Sequence, residues 1–247
     1  MTSATLTSRT GPTAERAHGS PPSARTGTTL ILGGVIAEYV ITMFHPHHAA
    51  PNDHHAAFAE YADSHAWIPV HLGQFAAGLV VLAGFLALLR ALRPTSRSPL
   101  TIRAAGAATV LTAAVSAVLQ AVDGIALKRA VDSLTAAPAQ LHAVAFRDAE
   151  TVRWVEESMA SYYRLALGLT LVLVGLAVVY SRQLPRWTAV FAVLAGLAFL
   201  TDGIGVAYSG FADATVPNLV SWASLVIFAV TTAIAAWRRP HGTLTPA

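Results

Sequence analysis

Charged side chains are scarce in this sequence. Only 12% of the 247 residues are Asp, Glu, Lys or Arg, about half the share of an ordinary soluble domain. So few charges could not cover the surface of a soluble protein, whereas 54% of the residues are hydrophobic and the mean hydropathy is +0.54. This composition excludes a secreted globular enzyme, a disordered chain and a nucleic-acid-binding protein, and it indicates an integral membrane protein.

Cysteine is absent, which excludes disulfides, thiolate metal sites and cysteine nucleophiles. The sequence also lacks a nucleotide-binding fingerprint, a phosphate loop and a Gly-x-Ser-x-Gly elbow. Any catalysis would therefore depend on the few His, Asp and Glu side chains.

Six stretches are apolar and nearly or fully long enough to cross a bilayer, a distance that takes about 20 helical residues. They are Thr28–Phe44, Ala66–Leu89, Ala104–Ala126, Tyr162–Ser181, Trp187–Tyr208 and Asn218–Trp237. The first is the shortest and contains Glu38. The predicted fold is all-α, a polytopic bundle of six transmembrane helices over residues 28–237. A disordered tail precedes it at residues 1–27 and a short tail follows it at residues 238–247.

The distribution of arginine predicts that both tails are cytoplasmic. With the N-terminus inside, eleven of the sixteen Lys and Arg residues fall in cytoplasmic segments, as the positive-inside rule requires. Residues 45–65 and 127–161 are then extracytoplasmic. We expect a multi-pass protein of the plasma membrane, and the Ala- and Arg-rich, Lys-poor composition suits a high-GC bacterium.

The extracytoplasmic segments are predicted to form a partly helical cap. Asn52 or Asp53 would cap a short helix over His54–His65. The third span is expected to continue to about Leu134 and to break near Pro138. A returning helix would then lead into the fourth span.

Four titratable side chains lie in the outer halves of the predicted spans: Glu38, His71, Asp123 and Asp202. Polar groups inside a bilayer are costly, so they are usually functional or buried in the bundle. We predict that these four are acid–base groups of one pocket that opens to the extracytoplasmic side. The alternative is that they only form hydrogen bonds between helices.

Further polar and aromatic residues at the same depth would complete this pocket. Gln74 and Gln120 each lie three residues from a titratable group and thus share its helix face. The predicted substrate-binding residues are Tyr39, Gln74, Gln120, Tyr163 and Tyr208.

Eight of the ten histidines lie on the outer side. Imidazoles suit zinc or copper, and a divalent metal could be held by His45 and His71. No defined metal motif such as HExxH is present, so a solvated histidine-rich loop is the alternative. Haem is disfavoured, because only His71 lies well inside a span and only His45 could serve as the second ligand.

Four short motifs occur at the ends of the spans. They are His45-Pro46, Trp67-x-x-x-His71, Asp123-Gly124 and Pro185-Arg186-Trp187. Together they resemble a broad group of uncharacterised multi-pass membrane proteins of high-GC bacteria. The resemblance covers most of residues 28–237 and implies a membrane bundle, with no activity attached.

Three functions fit these features. The first is binding or transformation of a membrane lipid or another lipophilic small molecule in the outer leaflet. The second is transport or proton-coupled exchange, which six short spans would support only as a homo-oligomer or a minimal carrier. Against this second function, no strong polar group reaches the inner half of the spans. The third is a scaffold or sensor with buried polar groups that hold the helices together.

Overall fold

The computed structural model describes residues 23–46, 49–95, 98–211 and 215–238. These residues form helices and connecting turns, without a strand in the described ranges. The helices are α1 (Ala24–Thr42), α2 (His54–Asp63), α3 (Trp67–Ala91), α4 (Pro99–Ala121), α5 (Lys128–Thr135), α6 (His142–Ser181), α7 (Arg186–Ser209) and α8 (Val216–Trp237). A π-helical segment, Val122–Leu127, joins α4 to α5 without a break. The all-α prediction is confirmed.

Five continuous helices are long and apolar enough to cross a membrane: α3, the unit Pro99–Thr135, α6, α7 and α8. Their length and composition are those of membrane-spanning helices. Helix α1 has 19 residues but is not among the five. It begins four residues before the predicted first span, because the Ser23 side chain accepts a hydrogen bond from the backbone N–H of Thr26 and caps the helix there. Residues 24–27, predicted as part of the tail, are thus helical, and the rest of both predicted tails lies largely outside the described residues.

The six long helices form a closed ring in the order α1, α3, α4, α6, α7, α8, with α8 back against α1. Glycines let neighbouring backbones approach closely. A Cβ atom on Gly84 of α3 would lie 2.7 Å from the backbone nitrogen of Ile31 on α1. A Cβ on Gly168 of α6 would lie 2.7 Å from the carbonyl oxygen of Gly196 on α7. Both contacts exclude a larger residue.

Two helices of the ring extend well beyond a bilayer. At 1.5 Å per residue, the 40 residues of α6 span about 60 Å, twice the thickness of a hydrocarbon core of about 30 Å. The other long helix is the continuous unit Pro99–Thr135, with 37 residues. The outer parts of both helices pack with α2 around an apolar cluster that includes Phe58, Trp67, Leu127 and Val131. We call this part, α2 with α5 and the first half of α6, the cap.

The cap has a short helix and a break between helices at the positions where the sequence predicts them, with α2 ending at Asp63, two residues before the predicted His65. The Asp53 carboxylate accepts a hydrogen bond from the backbone N–H of Ala56 at 3.1 Å and caps α2. The third long helix ends at Thr135, and α6 begins at His142 after a break that contains Pro138. The bundle and the cap therefore meet at the level of the π-helical segment, where the polar residues gather.

Candidate functional site

A cavity of about 170 Å³ lies on the axis of the ring, at the end next to the cap. Its wall is formed by residues from all six ring helices, from the π-helical segment and from two connecting loops. Its lining residues are Glu38, His45, Gln74, Leu119, Gln120, Asp123, Glu156, Ala160, Tyr163, Arg164, Phe199, Phe211 and Trp222. We call it the axial cavity.

The axial cavity brings together residues that are far apart in the sequence. The predicted site residues Glu38, Gln74, Gln120, Asp123 and Tyr163 all line it. Three of them each hold one buried oxygen atom without a hydrogen-bond partner among the described residues: Oε2 of Glu38, Oε1 of Gln120 and Oδ1 of Asp123. A buried acceptor without a donor costs free energy, so these oxygens mark the place where a donor from outside the protein would be accepted.

His71 does not line the axial cavity but lies directly behind Asp123. The imidazole is only 2% exposed, its Nδ1 donates to the carbonyl oxygen of Trp67 at 2.7 Å, and its Nε2 lies 3.1 Å from Oδ2 of Asp123. The Nε2 atom forms no hydrogen bond of standard geometry with a described residue, so its distance from Asp123 reflects an approach of the two groups and not a formed bond. The pair places an imidazole beside a carboxylate at the edge of the cavity, and these are the group types that acid–base chemistry uses.

The π-helical segment sets the position of Asp123. Such segments are rare and are frequently found at functional sites. The indole N–H of Trp67 donates to the carbonyl oxygen of Asp123 at 3.0 Å. The next residue, Gly124, lies against His71, and a Cβ atom there would lie 2.6 Å from the His71 Cβ. Only glycine leaves room for the imidazole, which accounts for the Asp-Gly motif in the sequence.

His45 closes the cavity from the side of the first loop. Its ring centroid lies 5.1 Å from that of His71 and 5.0 Å from that of Trp67. Burial lowers the pKa of His45 below its ordinary value, and the neighbouring His71 lowers it further. The two predicted metal ligands are therefore neighbours, but the described residues contain no group of three or more His, Asp or Glu able to hold a metal ion. His47 and His48 of the histidine-rich loop lie outside the described residues.

An ion pair that the sequence analysis missed forms the cap side of the cavity. Glu156 lines the cavity and accepts from Nη1 of Arg153 at 2.7 and 3.0 Å. Both residues are almost completely buried, and the Arg153 guanidinium also lies 4.6 Å from the ring centroid of Phe211. The spacing of Arg153, Glu156 and Arg164 along one helix places them on a common face, and this spacing is the signal that could have identified them.

Asp202 is held away from the axial cavity. Its Oδ2 lies 2.9 Å from Nε of Arg164, and it accepts hydrogen bonds from Thr215 at 3.0 Å and Asn218 at 3.4 Å. It lines a second cavity of about 540 Å³ between α7 and α8, and Arg164 and Phe211 line both cavities. The structure thus joins α6, α7 and α8 through Asp202 and does not bring it together with Glu38 and Asp123 around one cavity.

Two predicted substrate-binding tyrosines lie on the outside of the bundle. Tyr39 is 70% exposed and Tyr208 is 89% exposed, and neither lines the axial cavity. Gln74, by contrast, lines the cavity and donates from its amide to the hydroxyl of Thr42 at 2.9 Å. The polar groups of α3 and α1 are therefore linked at the rim.

A narrow apolar crevice continues from the axial cavity between the helices. Glu38, Tyr163 and Trp222 line both spaces. The remaining lining residues of the crevice are Val35, Gly78, Val81, Leu82, Leu167 and Leu225. The Glu38 carboxylate consequently lies at the boundary between a polar space and an apolar one.

Comparison with protein-family models, with curated proteins and with solved structures finds no match for this chain. The resemblance to multi-pass bacterial membrane proteins stays a prediction from the sequence.

Proposed function

We propose that this protein is a six-span membrane protein, with both termini in the cytoplasm, whose axial cavity binds a lipophilic small molecule by its polar head. The cavity would open to the extracytoplasmic side, under the cap. The His71–Asp123 pair makes acid–base transformation of the bound molecule part of the proposal.

One observation carries the proposal. Glu38, Gln120 and Asp123 come from three different segments, line one cavity, and each hold a buried oxygen without a donor. Both carboxylate oxygens of Asp202, which joins three helices, have partners in Arg164, Thr215 and Asn218. The three oxygens of the axial cavity lack such partners, which favours a ligand over a purely structural role.

The apolar surroundings favour a lipophilic ligand. The cavity wall includes Leu119, Phe199, Phe211 and Trp222, and the crevice below Glu38 is almost entirely apolar. Ligand sites combine such apolar walls with a few placed polar groups. The polar head of an amphiphile would occupy the axial cavity of about 170 Å³. The crevice measures about 30 Å³ and would have to widen to admit the apolar body.

The place of α1 in the ring supports its assignment as a sixth span. It packs along α3 through Gly27, Gly34 and Gly84, each of which meets backbone atoms of the other helix. At its start, Arg25 donates to the carbonyl oxygens of Ala236 and Trp237 at the end of α8. A helix fixed along its length to two apolar helices shares their environment, even though its own sequence is less apolar.

The packing below the cavity favours binding over transport. The other half of the ring is filled by buried apolar side chains such as Leu171, Val174 and Phe228. A polar path through the bundle would have to replace them. For this reason we place transport, and the scaffold or sensor role, second to ligand binding.

The test is to purify the full-length protein from its membrane, extract it with organic solvent, and identify co-purifying small molecules by mass spectrometry. The wild type should retain one class of molecule at a fixed ratio to protein. Glu38→Gln and Asp123→Asn should retain about tenfold less, because each loses a charge-assisted hydrogen bond of about 1.4 kcal/mol or more.

Asp132→Asn is the matched control, since Asp132 is exposed on α5 and pairs only with Lys128 of the same helix. It should retain the wild-type amount. Equal retention in all four proteins, at the level of the bulk membrane lipids, would contradict the proposal.

A further inference from the structure

The charged groups around the axial cavity form pairs, with one exception. Glu156 is paired with Arg153, Asp202 with Arg164, and Asp123 with His71. Glu38 forms no ion pair and no hydrogen bond with any described residue. It interacts electrostatically with His71, which is itself paired with Asp123. Glu38 is thus the carboxylate of the cavity wall without an ion-pair partner of its own among the described residues.

Resting on the function proposed above, we propose that the ligand is a lipophilic amine or quaternary ammonium compound whose positive head binds at Glu38. Glu38 is half-buried and its Oε2 is buried, and a carboxylate withdrawn from water is stabilised by a cationic partner. A cationic head would supply the missing partner, and the apolar body would enter and widen the narrow crevice that begins at the same side chain.

Aromatic side chains at the cavity favour a cation for a second, independent reason. Trp222 and Phe199 line the cavity and pack edge to face, with ring centroids 5.4 Å apart. Cations are attracted to the faces of such rings, most strongly to tryptophan. Trp222 also lines the crevice with Glu38, so carboxylate and indole flank the boundary where the head of an amphiphile would sit.

An anionic head is disfavoured by the same pairing. Arg164 is the guanidinium that lines the cavity, and it is bound to Asp202 on one side and lies 5.3 Å from the ring centroid of Phe211 on another. Arg153 likewise forms a hydrogen-bonded ion pair with Glu156. The Nη1 of Arg164 has no hydrogen-bond partner among the described residues and could donate to an anion. The charge of Arg164 is nevertheless already balanced by Asp202, whereas Glu38 has no ion-pair partner, so the balance of charge favours a cation.

The experiment compares three probes with the same eight-carbon chain and different heads: octylamine, octanol and octanoate. Each is titrated calorimetrically into the full-length protein in a non-ionic detergent. A titration into protein-free micelles corrects for partition, and Asp132→Asn is the control variant, which should bind as the wild type does. We expect saturable binding of octylamine at least tenfold tighter than that of octanol. Glu38→Gln should abolish this difference, and Gln120→Glu, which adds a carboxylate to the same wall, should increase it.

Each other result decides against the proposal in a distinct way. Equal binding of octanol and octylamine, unchanged in Glu38→Gln, overturns the cationic head and leaves the lipophilic site in place. Preferred binding of octanoate overturns the proposal in favour of an anion at Arg164. Absence of saturable binding of all three probes contradicts the proposed function itself. Size-exclusion profiles and helical circular dichroism equal to those of the wild type establish that each variant is folded.

Discussion

The Nε2 atom of His71 lies 3.1 Å from Oδ2 of Asp123, and the opposite ring nitrogen donates to the carbonyl oxygen of Trp67. This arrangement fixes the orientation of the imidazole beside a carboxylate that lines the axial cavity. It depends on Gly124, because that residue gives the imidazole its space. The pair thus links the packing of α3 against the π-helical segment to the chemistry of the cavity.

Gly124→Ala is expected to push His71 away from Asp123. The added methyl group would lie 2.6 Å from the His71 Cβ, and overpacking of this kind costs about 1–3 kcal/mol of unfolding free energy. Thermal unfolding of the purified protein measures this loss. Gly106→Ala on α4 is the control, since nothing lies within 4 Å of a Cβ there, and it should leave stability unchanged or slightly raise it. Equal midpoints for the two variants would show that His71 does not need the glycine.

Asp202→Asn is expected to be the most destabilising of the carboxylate substitutions. The substitution leaves the partly buried guanidinium of Arg164 without its charge partner. Breaking a buried ion pair costs about 3–5 kcal/mol of unfolding free energy. The cost here is smaller, because the Arg164 side chain is about one-fifth exposed to solvent. The same thermal measurement on Glu38→Gln should show a much smaller loss, because Glu38 has no partner to break. A larger loss in Glu38→Gln than in Asp202→Asn would reverse the roles assigned to the two carboxylates.

The lack of cysteine makes the proposed topology directly testable. Ser133→Cys, exposed on α5 in the cap, should react with a membrane-impermeant maleimide on intact cells. Ser23→Cys, at the start of α1, should react only after the membrane is permeabilised. Labelling of both on intact cells would place the two ends of the bundle on the same side and contradict six spans with a cytoplasmic N-terminus.

Tyr61 of the cap is expected to make stability pH-dependent in alkaline solution. Burial raises its pKa to about 12, compared with about 10 in an unfolded chain. Since the folded state holds the proton more tightly, the contribution is complete below pH 10 and is lost as the pH rises from 10 to 12. The loss approaches about 2–3 kcal/mol at pH 12. Tyr61→Phe should remove it.

The measurement for Tyr61 is the thermal midpoint of both proteins between pH 8 and pH 12. The wild type should lose stability faster than Tyr61→Phe above about pH 10. Parallel profiles would show that Tyr61 ionises in the folded protein as easily as in the unfolded chain.

Depth within the bundle could be predicted from the sequence, because hydropathy and the rise per residue fix how far a side chain lies along a span. Glu38, Gln74, Gln120 and Asp123 were placed at one level in this way, and the structure brings them to one cavity. The rotation of a helix about its axis is harder to predict. Tyr39 follows Glu38 directly and lies at the same depth, but it turns away from the ring and is exposed.

Neighbour relations between helices could not be predicted from one sequence either. Asp202 has the expected depth, but whether it meets α1 or α6 depends on the order of helices in the ring. That order places it beside Arg164. The π-helical segment was also missed, because no residue type marks where a helix gains an extra residue per turn. The requirement for glycine at position 124 becomes apparent only from its contact with His71 in the structure.

The most direct test of the central claim is an experimental structure of the full-length protein in lipid nanodiscs, at a resolution that shows small ligands. We predict non-protein density in the axial cavity, within hydrogen-bond distance of about 3.2 Å of Glu38 and Gln120, and extending into the crevice along Val35 and Leu82. A cavity in which Glu38 is bonded to a protein side chain, or in which only water-sized density bridges Glu38, Gln120 and Asp123, would contradict ligand binding at this site.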